Sequence, residues 1–104
     1  MNKTNLLQTA SSLAGAWRSV VVGQAAGANI KVLRMDSAEY PAEVHDFDEA
    51  LLVMEGVMHL QFAGERLLVA AGELCVVPAG VPHAVATGSH GTLLIIDPPA
   101  DLPA

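Results

Sequence analysis

At 104 residues the chain has the size of one domain, and with 52% apolar and 15% charged residues it is too hydrophobic and too weakly charged to be disordered. Its net charge is −6 and its five basic residues, Lys3, Arg18, Lys31, Arg34 and Arg66, are scattered, which excludes nucleic acid as a direct partner because phosphate backbones need a basic footprint. No apolar run approaches the roughly 20 residues that cross a bilayer, and the start Met-Asn-Lys-Thr-Asn lacks the apolar stretch of a secretory signal, so a cytoplasmic protein without membrane contact is expected.

Leu6, Leu7, Ala10, Leu13, Ala14 and Trp17 recur at helical spacing behind Thr4 and Asn5, either of which can cap a helix start, and Gly15 lies where such a helix would stop. This predicts a short helical segment over residues 1–16. From Trp17 the pattern changes to short β-rich runs: Trp17–Val22, Ala28–Met35, Ala50–Met54, Val57–Phe62, Arg66–Val69, Glu73–Val77, His83–Ala86 and Thr92–Ile96. Turn signals separate them at Gly23 with Gly27, Glu55-Gly56, Ala63-Gly64, Ala71-Gly72, Pro78-Ala-Gly80 and Gly88-Ser-His-Gly91. With no helical pattern between the runs, residues 17–97 read as an all-β antiparallel barrel or double sheet, and the proline-rich 98–104 as an extended tail. The single Cys75, in the apolar run Leu74-Cys-Val-Val77, has no partner for an internal disulfide and reads as a buried thiol. The surplus of apolar side chains over what one small core can bury points to a further covered face, most simply in a homodimer.

Two clusters carry the candidate chemistry. In the first, Glu43 and His45 stand two residues apart, so on an extended chain they share a face with about 7 Å between their Cα atoms. Glu49 would lie about 13 Å further along a straight strand. The turn-forming aspartates Asp46 and Asp48 are placed to fold it back beside His45, with Leu51 and Val53 following it on the inward face before Glu55-Gly56 reverses the chain. In the second, Pro78-Ala-Gly80 reads as a tight turn with proline at its second position, and Val81-Pro82 fixes the direction from which His83 re-enters the sheet. His59, alternating with Met58 and Leu60, is expected to face outward, and His90 to sit in a loop. Lys31 and Arg34 lie on opposite faces of their run, so one can point inward toward an anionic ligand, although both being solvated or at a subunit interface is the plainer reading.

The pattern Glu43-x-His45-x3-Glu49-x6-Gly56, followed after 15 residues by Gly72-x5-Pro78-x-Gly80-x2-His83, resembles the two motifs of the cupin superfamily, over about Ile30 to Ile96. The resemblance implies a double-stranded β-helix, or jelly-roll, barrel. It further implies a divalent metal, iron, manganese, nickel or zinc, held by His45, Glu49 and His83. The family's first motif histidine falls on Glu43, its opening glycine on Ser37, and the asparagine that often ends the second motif on Thr87. Glu43 then either completes the metal shell or stands off it as a catalytic acid or base. The implied function is a metal-dependent enzyme, isomerase-like or dioxygenase-like, acting on a small oxygenated metabolite such as a sugar or a carboxylic or keto acid, with a wall that includes Leu51, Val53, Leu60 and Val76. Rival readings are a non-catalytic module that binds or senses a small ligand, and a metal-free structural barrel, which the missing first histidine favours.

Overall fold

The computed structural model describes residues 1–38 and 40–99. Among the described residues a single helix, α1 (Leu6–Ser11), precedes eight strands: β1 (Val20–Ala25), β2 (Ala28–Met35), β3 (Tyr40–Glu43), β4 (Glu49–Phe62), β5 (Glu65–Ala70), β6 (Leu74–Val77), β7 (His83–Val85) and β8 (His90–Asp97). All pair antiparallel in one sheet of order β1-β2-β8-β4-β7-β3, with β5 and β6 also on β4, and the sheet curls into a jelly-roll barrel. The helix start is capped by Asn5, whose Oδ1 accepts from the Gln8 amide at 3.0 Å. It ends at Ser11, before Gly15, with Ala10 fully buried, and the Arg34 guanidinium ties the following segment to β2 by donating to the Leu13 carbonyl at 3.1 Å.

β4 is the strand on which the others are hung. It runs 14 residues without a break, where the sequence suggested two strands and a turn at Glu55-Gly56. Gly56 does adopt the left-handed conformation, φ 81, but the chain kinks instead of reversing, because Gly56 lies opposite Gly91 of β8. A Cβ on either glycine would strike the other strand's backbone, at the His90 or the Glu55 carbonyl oxygen. Two real reversals are two-residue hairpins, Ala26-Gly27 and Ala63-Gly64, in which both residues have positive φ and thereby match the twist of the flanking strands. β1 consequently starts at Val20 rather than Trp17 and carries Gly23 beside a bulge within the strand. Trp17 itself is held at φ 64, its amide donating to the Arg34 carbonyl and its indole Nε1 to Asp36 Oδ1 at 2.7 Å. That indole bond is the main reason the exposed Asp36 carboxyl sits below its ordinary pKa.

Alternation along the strands builds the core. Leu33 and Met35 of β2, Leu51, Val53, Met58 and Leu60 of β4, and Leu93 and Ile95 of β8 face one interior cluster, joined by Val69, Val77 and Val85. On β6 the inward positions are Cys75 and Val77; Val76, expected in the wall, is 53% exposed on the outer face with Leu74. His59 alternates outward between buried Met58 and Leu60, and His90 opens β8 as an exposed residue. Among the described residues no helix is long and apolar enough to cross a membrane.

Candidate metal centre

The site forms where two local structures are clipped together. Glu43, the last residue of β3, is the cross-strand partner of His83, the first of β7, so their side chains share a face at the barrel mouth. Between β3 and β4 the chain loops through Val44–Asp48, which brings Glu49 back beside His45 as the Asp46-Phe-Asp48 signal suggested. The loop is fastened to the turn before β7 by two bonds: the Gly80 amide donates to the His45 carbonyl at 2.8 Å, and the Ala79 amide to Asp48 Oδ1 at 2.9 Å. In that turn Pro78 occupies the first position, not the second, since its own carbonyl accepts from the Val81 amide, and Gly80 supplies the positive φ, 81, at the third.

The side chains converge. His45 Nε2 lies 3.2 Å from Glu43 Oε2 and 3.9 Å from Glu49 Oε2, and His83 Nε2 lies 3.3 Å from Glu49 Oε1. One ligand atom from each of Glu43, His45 and His83 falls within 4.8 Å of the others, and these three form a possible metal site, with Glu49 touching both imidazoles through different oxygens. A cation held at about 2.1 Å by each donor keeps neighbouring donors about 3 to 3.5 Å apart, which the 3.2 and 3.3 Å spacings match and the 3.9 Å spacing exceeds.

Two details test whether these residues fit a cation. His83 Nδ1 faces the Val81 carbonyl at 3.0 Å, a partner that favours a proton on Nδ1 and points Nε2 at Glu49 Oε1, 3.3 Å away. An Nε2 proton or a metal cation between the two would satisfy that contact. His45 Nε2 is buried yet has no hydrogen-bond partner among the described residues, its approach to Glu43 being misaligned for one. A buried imidazole nitrogen without a partner, aimed at two carboxylates, is the arrangement a divalent cation completes.

The centre opens into a cavity of about 390 Å³. Its floor is the core itself, Leu33, Leu51, Met58, Leu93 and Ile95, and its rim carries Trp17, Tyr40 and Phe47. Phe47 stacks on His45 with ring centroids 4.8 Å apart and planes 14° from parallel, and Trp17 packs against Tyr40 at 5.5 Å. Burial raises the Tyr40 phenol above its ordinary pKa, and the Glu43 carboxylate beside it adds to the effect. Sequence reading gave Tyr40, Phe47 and Trp17 no role at the site; the available signal was that Tyr40 and Phe47 lie just before and inside the first motif. Lys31 is the inward one of the two candidate cations and lines the cavity, but its ammonium is engaged by Asp97 at 2.7 Å.

An all-β jelly roll whose mouth gathers two imidazoles and two carboxylates defines a class of barrel with a possible metal site. Residues 32–97 match the family model for the cupin domain, and the chain belongs to the cupin family. It is 40% identical over 57 residues to quercetin 2,3-dioxygenase of Bacillus subtilis (strain 168), a match that takes in 54% of this chain but only 17% of that protein. Among solved structures, a cupin-2 domain protein from Shewanella frigidimarina superposes with a TM-score of 0.84 at 27% identity, covering 92% of this chain and 94% of that one. A protein from Neisseria meningitidis superposes at 0.81 with 24% identity, covering 94% and 100%, and shows the same fold.

Proposed function

We propose that the chain is a metal-dependent cupin enzyme acting on a small oxygenated metabolite, with dioxygenase-like chemistry favoured over isomerase-like. The observation that carries the reading is the buried, unpartnered His45 Nε2 facing His83 and two carboxylates. The similarity to a quercetin dioxygenase, whose activity belongs to a much longer protein, supports the choice of reaction class.

In this reading His45, His83 and Glu49 hold the ion, of iron, manganese, nickel or zinc. Bound there, it would supply Lewis acidity to a substrate oxygen. The Val81 carbonyl orients the His83 ring, and the Phe47 face does the same for His45. Glu49, with an 11% exposed side chain, is boxed between the imidazoles, whereas Glu43 is 39% exposed at the rim. Glu43 is therefore the carboxylate free to accept the proton of an incoming hydroxyl on Oε2, and the apolar floor keeps bulk water from the site.

The test is metal content followed by turnover. Protein purified without added ions is expected to carry close to one transition-metal ion per chain, and His83→Ala to lose it. Metal-loaded protein is then expected to consume oxygen in the presence of a hydroxylated aromatic. Metal-free protein from metal-supplemented cultures, or His83→Ala retaining a full complement, defeats the reading.

A further inference from the structure

Asp97 is the last residue of β8 and its side chain is buried, at 6% exposure. One oxygen, Oδ2, accepts from Lys31 Nζ at 2.7 Å. The other, Oδ1, is buried with no hydrogen-bond partner among the described residues. Both residues line the cavity that holds the metal centre.

Register gives their position relative to that centre. Ala50 of β4 lies opposite Ile96 of β8, so one step further along the antiparallel pair Glu49 stands beside Asp97, on the same inward face and about 5 Å away between Cα atoms. Asn29 is opposite Asp97 on β2, which puts Lys31 diagonal to it on that face. Asp97 Oδ1 is thus an acceptor one strand spacing from Glu49, in a cavity rimmed by Trp17, Tyr40 and Phe47. A buried carboxylate oxygen left without a donor is unfavourable in the free protein, and a ligand hydroxyl relieves it. The paired Lys31 charge is not available to an anion.

We propose that Asp97, poised by Lys31, is a specificity-determining residue: it accepts a hydrogen bond from a second hydroxyl of a neutral, hydroxylated ring compound whose first oxygen reaches the metal. This deepens the metal-enzyme reading and rests on it. It also replaces the anionic-ligand alternative raised for Lys31, whose role becomes to hold Asp97 in place.

The test compares binding of catechol, 2-methoxyphenol and benzoate to the metal-bearing protein by calorimetry, with metal content measured on the same preparations. The unmodified protein is expected to bind catechol at least about tenfold more tightly than 2-methoxyphenol, which lacks the second donor, and more tightly than benzoate. Asp97→Asn releases Lys31 and is expected to tighten benzoate and weaken catechol. The double variant Lys31→Met with Asp97→Leu, which leaves no buried charge, is expected to keep its metal while the catechol preference shrinks to within about twofold. Metal in place with the preference unchanged in the double variant overturns the Asp97 assignment alone, as does benzoate binding as tightly as catechol to the unmodified protein. Absence of metal from the unmodified protein removes the metal-centre reading beneath it.

Discussion

Glu43 and Glu49 belong to one site, yet their surroundings divide the work between them. Glu49 lies between two imidazoles in the barrel wall and Glu43 stands at the rim, so Glu43→Gln is expected to retain metal while turnover falls about 10²-fold or more, the usual contribution of a positioned acid or base. Comparing kcat and metal content for Glu43→Gln and Glu49→Gln checks this, and a Glu43→Gln protein stripped of metal would make Glu43 a ligand instead. These residues were legible because the motif spacings place them. That Glu43 would face His83 across a strand pair was not, since that pairing joins residues 40 positions apart. Cys75 shows a second effect of position. Burial pushes its thiol above the ordinary value, so the folded chain holds this proton at pH values where the unfolded chain has released it. Its contribution to stability is therefore complete below the unfolded thiol's pKa and is lost as pH rises through the higher folded value. Native protein at pH 8.5 is expected to react with iodoacetamide far more slowly than protein in guanidinium, and equal rates would contradict the inward placement.

Among the elements, the Gly56–Gly91 crossing shows what punctuation in a sequence does and does not say. A glycine before apolar residues announces a conformation open only to it, but not whether the strand resumes afterward. Here it resumes, because β8 passes so closely that neither position tolerates a Cβ. Gly56→Ala is expected to destabilise the fold by at least about 2 kcal/mol, combining left-handed strain with backbone overlap. Alanine at Gly72, also at positive φ but with open space around it, should do less harm, and urea midpoints for the two variants give the comparison. Val76 was misplaced because the facing of β6 is set by its pairing with β4, with Leu51 opposite Cys75, which is not a local signal.

For the whole molecule, a cation held between the carboxylates at the barrel mouth would add to the stability of the native chain. A ligand that binds only the native chain stabilises it by about 2.7 kcal/mol at 100 times its dissociation constant. In a domain of this size that corresponds to a rise in Tm of about 10 °C or more. Chelation is therefore expected to lower Tm by about that amount in the unmodified protein and to leave His83→Ala unmoved; identical shifts in both would place the ion elsewhere. The barrel class and the four converging side chains could be read before any coordinates, because turn residues, alternation and motif spacing are local signals. The rim aromatics and the Lys31–Asp97 pair could not, since they depend on how β2, β8 and β4 align side by side.

That alignment ties chemistry to architecture in one strand. β4 borders β5, β6, β7 and β8, and its odd-numbered residues from Glu49 to Val53 point inward while their neighbours point out. Deleting any one residue between Ala50 and Met54 would swap the faces on one side of the cut, turning either Glu49 or the apolar run after it toward solvent. Lengthening the hairpin at Ala63-Gly64, on an exposed tip far along the same strand, leaves that phase intact. Evolutionary drift and loop grafting thus have room at the hairpin and almost none in the five residues that follow Glu49.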